Sequence, residues 1–186
     1  MKNLKFIAMF LFLGLVITSC SDDDDNIPEE VNEEEVITTM TVTLTPAGGG
    51  DEITLQTRDL DGDGPNAPEV TVSGPLAANA TYNGSIVLLN ETESPAENIT
   101  EEVEEEDEEH QFFYTVSNGL NVTVEYANFD DDGNELGTEF TLTTGAASSG
   151  NLTFTLRHDL TKPNGGDLSA AGGETDISAT FNVSVE

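Results

Sequence analysis

The chain contains two histidines, His110 and His158, and each lies in a pattern that could bring an imidazole close to carboxylates. Eight of the nine residues from Glu101 to Glu109 are acidic, and they directly precede His110. Imidazole and carboxylate together suit Zn²⁺, Cu²⁺ or iron, so the candidate transition-metal ligands are His110, His158, Glu106 and Glu109. A single histidine is more often a capping or core residue, and this role remains the alternative for both histidines.

Two loops carry oxygen-bearing side chains at the spacing of a calcium-binding loop, with a glycine at the sixth position. The first loop has carboxylates at its first, third and fifth positions: Asp59, Asp61 and Asp63. The second loop also has a carboxylate at the twelfth position, and its candidate ligands are Asn128, Asp130, Asp132 and Glu139. The same residues are common in tight turns between β-strands, so each loop predicts either a Ca²⁺ site or a β-turn.

The acidic run predicts the one sizeable helix of the chain, from Pro95 to Glu109. Ser94 stands at the N-cap position, Pro95 at the first helical position, and Glu97 is placed to complete a capping box. Acidic residues four positions apart repel one another, at a summed cost of about 1 to 2 kcal/mol. Packing of an apolar edge, or bound cations, must offset this repulsion.

Outside this helix, apolar residues alternate with polar ones, many of them threonines, as at Met40, Val42 and Leu44. Such period-two patterns, separated by glycine-rich and asparagine-rich turns, predict strands that each have one solvated face. We therefore expect an all-β fold for residues 36–186: an antiparallel β-sandwich with Ig-like layering and one acidic helix.

Residues 1–19 predict a bacterial lipoprotein signal peptide, with Lys2 and Lys5 before an apolar run that ends in a lipobox at Cys20. A transmembrane helix is the alternative, but the apolar run is shorter than the about 20 residues that a span requires. We expect Cys20, the single cysteine of the chain, to carry the lipid anchor in the outer membrane.

Residues 20–35 predict an acidic, disordered tether between the anchor and the folded domain. Its first part, Ser21 to Asp25, resembles the export signal that sends Bacteroidota lipoproteins to the outer face of the outer membrane. The prediction is therefore a protein that faces the cell exterior. A simple solvated tether without an export signal is the alternative.

The charge of the chain limits its partners, because 37 acidic residues stand against five lysines and arginines, for a net charge of −32. Such a field repels the phosphates of nucleic acid and attracts cations, so nucleic acid is excluded as a partner. The sequence has no G-x-S-x-G, H-E-x-x-H or G-x-G-x-x-G motif. We therefore do not expect an enzyme.

Several segments together resemble small lipoproteins of Bacteroidota that carry the label "type 1 periplasmic binding fold superfamily protein". The segments are Glu35 to Thr38, Asp59 to Gly64, Glu108 to Tyr114, Leu156 to His158 and Gly173 to Ile177. The label implies two domains of βαβ units, whereas the residue pattern predicts a sandwich. The resemblance brings no specific activity.

These features support two expectations of function. The first is a surface-anchored binding module that captures a metal ion or metal complex for an outer-membrane receptor, through the acidic helix, His110 and His158. The second is a structural or adhesive surface domain with calcium-stabilised loops and no small ligand, because acidity alone also serves solubility.

Overall fold

A computed structural model of the chain describes residues 35–62 and 64–186, and the compact unit that contains them spans Glu34–Glu186. The predicted signal peptide, the anchor at Cys20 and most of the tether lie outside the described residues, as does the calcium candidate Asp63. In the described part, no helix has the length and apolarity needed to cross a membrane.

The described residues form ten strands and two short helices. In chain order they are β1 (Thr39–Pro46), β2 (Ile53–Arg58), β3 (Glu69–Val72), β4 (Thr81–Asn90), β5 (Glu97–Asn98), α1 (Ile99–Glu105), β6 (His110–Val116), β7 (Val122–Tyr126), β8 (Glu139–Thr144), β9 (Ser148–His158), α2 (Leu168–Ala171) and β10 (Glu174–Val185).

The strands form two sheets, and every pairing between named strands is antiparallel. A seven-stranded sheet has the order β3-β2-β1-β4-β8-β7, with β5 also on β4, and a three-stranded sheet has the order β10-β9-β6. The prediction of an all-β antiparallel sandwich is confirmed. Within the described residues the sheets show none of the parallel βαβ architecture that the resemblance implies.

Aromatic and aliphatic side chains from both sheets meet in one core. Phe140 of β8 packs across the sandwich against Tyr114 of β6 and Phe154 of β9, with ring centroids 5.0 and 5.6 Å apart. On β4 the buried and exposed residues alternate strictly from Thr81 to Leu88, as period-two sequence predicts. The polar residues, mostly threonine, asparagine and serine, therefore face solvent.

The acidic helix is shorter than predicted: α1 begins at Ile99 rather than Pro95 and ends at Glu105 rather than Glu109. Its predicted first turn is instead strand β5, because Glu97 and Asn98 pair with the end of β4. The buried residues of α1 are Ile99, Thr100 and Val103. No apolar residue follows Val103 before His110, so the acids after Glu105 add no apolar packing of their own.

The three-stranded sheet determines where the two histidines lie. Strand β6 begins at His110 and the antiparallel strand β9 ends at His158, so these residues pair directly across the two strands. Strand β10 begins beside them, with Glu174 opposite His158. The three strands therefore bring their ends to the same edge of the sandwich.

Candidate metal centre

The imidazole rings of His110 and His158 stack at the edge of the sandwich. Their centroids are 4.5 Å apart and their planes differ by 18°. Both residues are buried, and they continue the inward-facing rows of their strands, which hold Phe112 on β6 and Leu156 on β9. Sequence periodicity predicts the inward direction of His158, and the strand pairing places His110 next to it.

Asp176 faces the same edge because of a β-bulge in β10. Thr175 pairs with Arg157 and Ile177 pairs with the next residue, Leu156, so Asp176 is the extra residue of the bulge. A bulge re-aims a side chain locally, and the Asp176 side chain is only 2% exposed. Its Oδ1 atom lies 3.9 Å from Nδ1 of His158.

Glu35, at the end of the predicted tether, supplies a second buried carboxylate. Its Oε1 atom is 3.0 Å from Nε2 of His110, and its Oε2 atom is 3.8 Å from Nδ1 of His158. The Glu35 side chain is 2% exposed, and among the described residues Oε2 has no hydrogen-bond partner. A buried carboxylate oxygen without a partner is costly, so this position favours a cation.

The hydrogen bond made by Nδ1 of His110 determines whether Nε2 of the same ring carries a lone pair. Nδ1 lies 3.1 Å from the backbone carbonyl oxygen of Glu106. Because a carbonyl can only accept a hydrogen bond, Nδ1 carries a hydrogen and donates it. In the neutral ring, Nε2 then directs a lone pair at Glu35, which also has only lone pairs when ionised. A bound cation resolves this conflict, and metal-binding histidines commonly donate their other N–H to a backbone carbonyl.

Together these four side chains offer two nitrogen and two oxygen ligands. One ligand atom from each of Glu35, His110, His158 and Asp176 lies within 4.8 Å of every other one. A tetrahedral Zn²⁺ ion with bonds of about 2.1 Å places its ligands about 3.4 Å apart. A tetrahedral site would therefore require the ligand atoms to approach one another by up to about 1.4 Å, with rotation of the stacked rings so that both nitrogen lone pairs point at the ion.

A second group of ligands lies on the solvent side of His158. The Nε2 atom of His158 is 3.9 Å from Oε2 of Glu109 and 3.9 Å from Oδ1 of Asp159. Both carboxylates are largely exposed, and the three ligand atoms lie within 4.8 Å of one another. The two nitrogens of one imidazole therefore face two different carboxylate groups.

The acids around α1 create a negative potential beside the buried group. Burial raises the pKa of Glu102 above its ordinary value, and the nearby carboxylates of Glu35 and Glu106 raise it further. Several carboxylates therefore lie close together in this region. Such a field attracts metal cations.

The structure brings together some of the predicted ligands and separates others. His110 and His158 meet, and Glu109 faces the outer nitrogen of His158. Glu106 contributes its backbone carbonyl to His110, and its carboxylate belongs to neither ligand group in the described chain. Glu35 and Asp176 are site residues that the sequence analysis did not identify.

The described part of the first candidate calcium loop uses its carboxylates to shape a turn. Oδ1 of Asp59 accepts hydrogen bonds from the backbone N–H groups of Asp61 and Gly62, at 3.2 and 3.0 Å. Oδ2 of Asp61 accepts one from Nδ2 of Asn66 at 2.7 Å. These bonds fit the turn alternative, and the calcium hypothesis for this loop remains a prediction.

In the second loop, Asp130 is buried and accepts hydrogen bonds from the backbone N–H groups of Asp132 and Asn134. Its Oδ2 atom also lies 3.2 Å from Nζ of Lys162. Burial opposes ionisation of Asp130, but the bonds from Asn134 and Lys162 outweigh it and hold the pKa of Asp130 below its ordinary value. The Lys162 ammonium group therefore takes a place next to Asp130 that a cation would occupy.

Asn128 and Glu139 stabilise the base of the same loop. Oδ1 of Asn128 accepts hydrogen bonds from the backbone N–H groups of Gly137 and Glu139, both at 3.0 Å. Glu139 thus meets Asn128 through its backbone rather than through its carboxylate. In the described residues, this loop does not bring three carboxylates within 4.8 Å of one another.

Comparison of the chain with protein-family models, with curated proteins and with solved structures found no match in any of the three. The geometry of the candidate metal centre is therefore the basis for the function proposed below.

Proposed function

We propose that this domain is a metal-binding module that holds one divalent transition-metal ion between its two sheets. The ligands are the carboxylate of Glu35, Nε2 of His110, Nδ1 of His158 and the carboxylate of Asp176. These four groups form the inner centre. The observation that carries the proposal is the Glu35 carboxylate, which is buried beside a nitrogen of each imidazole, with Oε2 lacking a hydrogen-bond partner among the described residues.

A proton in place of the metal ion is the competing explanation of the cluster. An extra proton on Nε2 of His110 accounts for the 3.0 Å distance to Oε1 of Glu35. It leaves Oε2 of Glu35 without a donor, 3.8 Å from His158. A metal ion beside the two rings, bound through one nitrogen of each, would satisfy the Glu35 carboxylate together with both histidines, so we favour the metal ion.

The ligand set favours Zn²⁺ over the harder cations. Two imidazoles and two carboxylates match the nitrogen and oxygen ligands that Zn²⁺ binds with four-coordinate geometry. Mg²⁺ and Ca²⁺ prefer sites made wholly of oxygen. Cu²⁺ also binds imidazole strongly, and the general affinity order places it above Zn²⁺. Either ion fits the expectation from the two histidines.

We infer that the site serves binding rather than catalysis. The four side chains are between 0 and 6% exposed, and together they would supply all four ligands of a tetrahedral ion. Catalytic zinc sites keep one position open for water or substrate. The proposed role is therefore that of a surface-anchored lipoprotein that captures and retains a metal ion. An outer-membrane receptor would then receive the ion.

A structural role for the ion is the second candidate, and one observation favours it. Glu35 leads into β1 of the larger sheet, whereas His110, His158 and Asp176 lie on the smaller sheet. An ion held by all four therefore ties the two sheets together at this edge. In a structural or adhesive surface domain, such an ion would stabilise the fold without being delivered.

The test is a competition titration of the metal-free, full-length chain with Zn²⁺ and a chromophoric chelator. Glu35→Gln removes one ligand with little change of shape, and Glu105→Gln is the matched control on the exposed acidic run. Loss of a supporting residue weakens metal affinity by about 10 to 100-fold, so loss of a direct ligand should cost at least about 10-fold. Equal affinities for wild type, Glu35→Gln and a His110→Ala/His158→Ala variant would overturn the proposal.

Delivery and a structural role differ in how fast the ion exchanges. A delivered ion must leave the folded protein, so added chelator should remove it without a change in the circular dichroism of the sheets. An ion with a structural role should leave only as the domain unfolds, because its ligands hold the two sheets together. The rate of chelator-driven loss, measured against the rate of unfolding, separates these two roles.

A further inference from the structure

The inner centre is enclosed, so a metal ion needs a path to it from solvent. His110 has no exposed side-chain surface, and the side chains of Glu35 and Asp176 are each 2% exposed. His158, at 6%, is the most exposed of the four ligands. The ring of His158 therefore forms the boundary between the inner centre and solvent.

The outward nitrogen of His158 meets two carboxylates that solvent reaches. Nε2 is 3.9 Å from Oε2 of Glu109 and from Oδ1 of Asp159, whose side chains are 56 and 65% exposed. The inward nitrogen, Nδ1, is 3.8 Å from Glu35 and 3.9 Å from Asp176. One buried imidazole thus has a pair of carboxylates on each side.

We propose that Glu109, His158 Nε2 and Asp159 form an outer metal position, which takes a hydrated divalent transition-metal ion from solvent and passes it to the inner centre. This inference rests on the proposed function, because the outer position supplies the inner centre. Two exposed carboxylates and one imidazole leave room for water ligands, so the ion is held loosely there.

The two positions use the two nitrogens of His158 in turn. A neutral imidazole has one lone-pair nitrogen and one N–H group. In the outer position Nε2 binds the ion, and the Nδ1–H group faces Glu35 and Asp176. In the inner position Nδ1 binds the ion, and the Nε2–H group faces Glu109 and Asp159. Passage inward releases the Nδ1 proton to solvent and takes up one at Nε2, so the charge of the ring is unchanged.

The outer position lies beside the acidic run, which favours the capture of metal cations from dilute solution. Glu109 is the last acid of the run that starts at Glu101, and this run concentrates cations at the surface. Glu109 at the end of the run and Asp159 after β9 both lie beside the outward nitrogen of His158. Cations attracted by the field therefore meet their first ligands beside the inner centre.

The test measures rates of metal binding rather than affinity alone. Stopped-flow mixing of the metal-free, full-length chain with Zn²⁺ and an indicator gives the association rate, and excess chelator gives the dissociation rate. The variant is Glu109→Gln/Asp159→Asn, which keeps all four inner ligands. The matched control is Glu105→Gln/Glu108→Gln, which removes the same charge from the acidic run.

We expect the outer variant to bind and release Zn²⁺ about 10-fold or more slowly than the control. The dissociation constant should stay the same, because the inner ligands are intact. Rates equal to those of the control would overturn the outer position and leave the inner centre standing. Equal Zn²⁺ binding by the wild type and a His110→Ala variant would overturn both the outer position and the inner centre.

Folding of the variants is checked by circular dichroism and by the melting temperature without metal. If the double variant does not fold, the single variants Glu109→Gln and Asp159→Asn are compared instead. Each should slow association, and the effect should be absent from Glu105→Gln. Unchanged rates in both folded single variants would overturn the proposal as clearly as unchanged rates in the double variant.

Discussion

Oε1 of Glu35 lies 3.0 Å from Nε2 of His110, while its Oε2 atom faces the stacked ring of His158. One carboxylate therefore spans two imidazoles that come from neighbouring strands, in a place closed to solvent. Two positive rings stacked 4.5 Å apart would repel each other, so the stacking disfavours a state in which both are protonated. Neutral imidazole is also the form that binds metal ions.

Zn²⁺ should stabilise the wild-type domain more than it stabilises Glu35→Gln. At a free Zn²⁺ concentration about 100 times the dissociation constant, binding adds about 2.7 kcal/mol to the free energy of unfolding. For a domain of this size, that gain raises the melting temperature by about 5 to 10 °C. Differential scanning calorimetry with Zn²⁺ and with EDTA measures both proteins, and an equal shift in the two would contradict the prediction.

Deletion of Asp176 should abolish the Zn²⁺-dependent stabilisation while the sheet persists. The deletion removes the extra residue of the bulge together with its carboxylate. Thr175 stays opposite Arg157 on the outer face, because it then directly precedes the inward-facing Ile177. The measurement is the melting temperature with and without Zn²⁺, with Asp176→Asn as the control that keeps the bulge. A deletion variant that retains the full Zn²⁺ shift would show that the bulge does not position a ligand.

Asp130→Asn should destabilise the domain to the same extent with Ca²⁺ and with EDTA. The side chains of Asp130 and Lys162 are 1 and 5% exposed, and removal of one partner from a buried ion pair costs about 3 to 5 kcal/mol. A second change, Lys162→Met, should recover part of this loss because it removes the unpaired charge. Chemical denaturation of both variants measures the effect. A loss seen only with Ca²⁺ would instead support a calcium loop at Asp130.

Stability should depend on pH through Glu91, which accepts two hydrogen bonds from Arg58. These bonds lower the pKa of Glu91 from 4.5 to about 2. A carboxyl whose folded pKa is lowered stabilises the fold above its unfolded pKa and loses that contribution as the pH falls through the folded pKa. The difference in unfolding free energy between wild type and Glu91→Gln should therefore shrink between pH 4.5 and about 2.

The control for this prediction is the same substitution in an Arg58→Gln background. Without the guanidinium partner, Glu91→Gln should have an effect that changes much less across this pH range. Denaturant unfolding at several pH values provides the four free energies. A pH dependence that is equally strong in both backgrounds would show that Arg58 is not its cause.

Local sequence patterns predict the sandwich because period-two alternation reports directly which face of a strand is buried. His158 is in phase with Leu156, so its inward direction follows from the sequence. The length of α1 could not be predicted from caps alone, because pairing of Glu97 and Asn98 with β4 overrides the capping signals at Ser94 and Pro95. Tertiary pairing of this kind has no local signature.

The two carboxylates of the inner centre were missed for separate physical reasons. Asp176 breaks the apolar alternation of β10, and only the unequal pairing with Arg157 and Leu156 reveals the bulge that turns it inward. Glu35 ends an acidic stretch that has the composition of a disordered tether, so composition does not predict that its side chain is buried.

The most direct measurement is X-ray absorption at the zinc edge of the full-length chain loaded with one equivalent of Zn²⁺. The proposed inner centre predicts four nearest ligands at about 2.0 to 2.1 Å, with the outer-shell scattering of two imidazole rings. His110→Ala should remove the scattering of one ring. A spectrum of oxygen ligands without imidazole, unchanged by His110→Ala, would contradict the proposed metal centre.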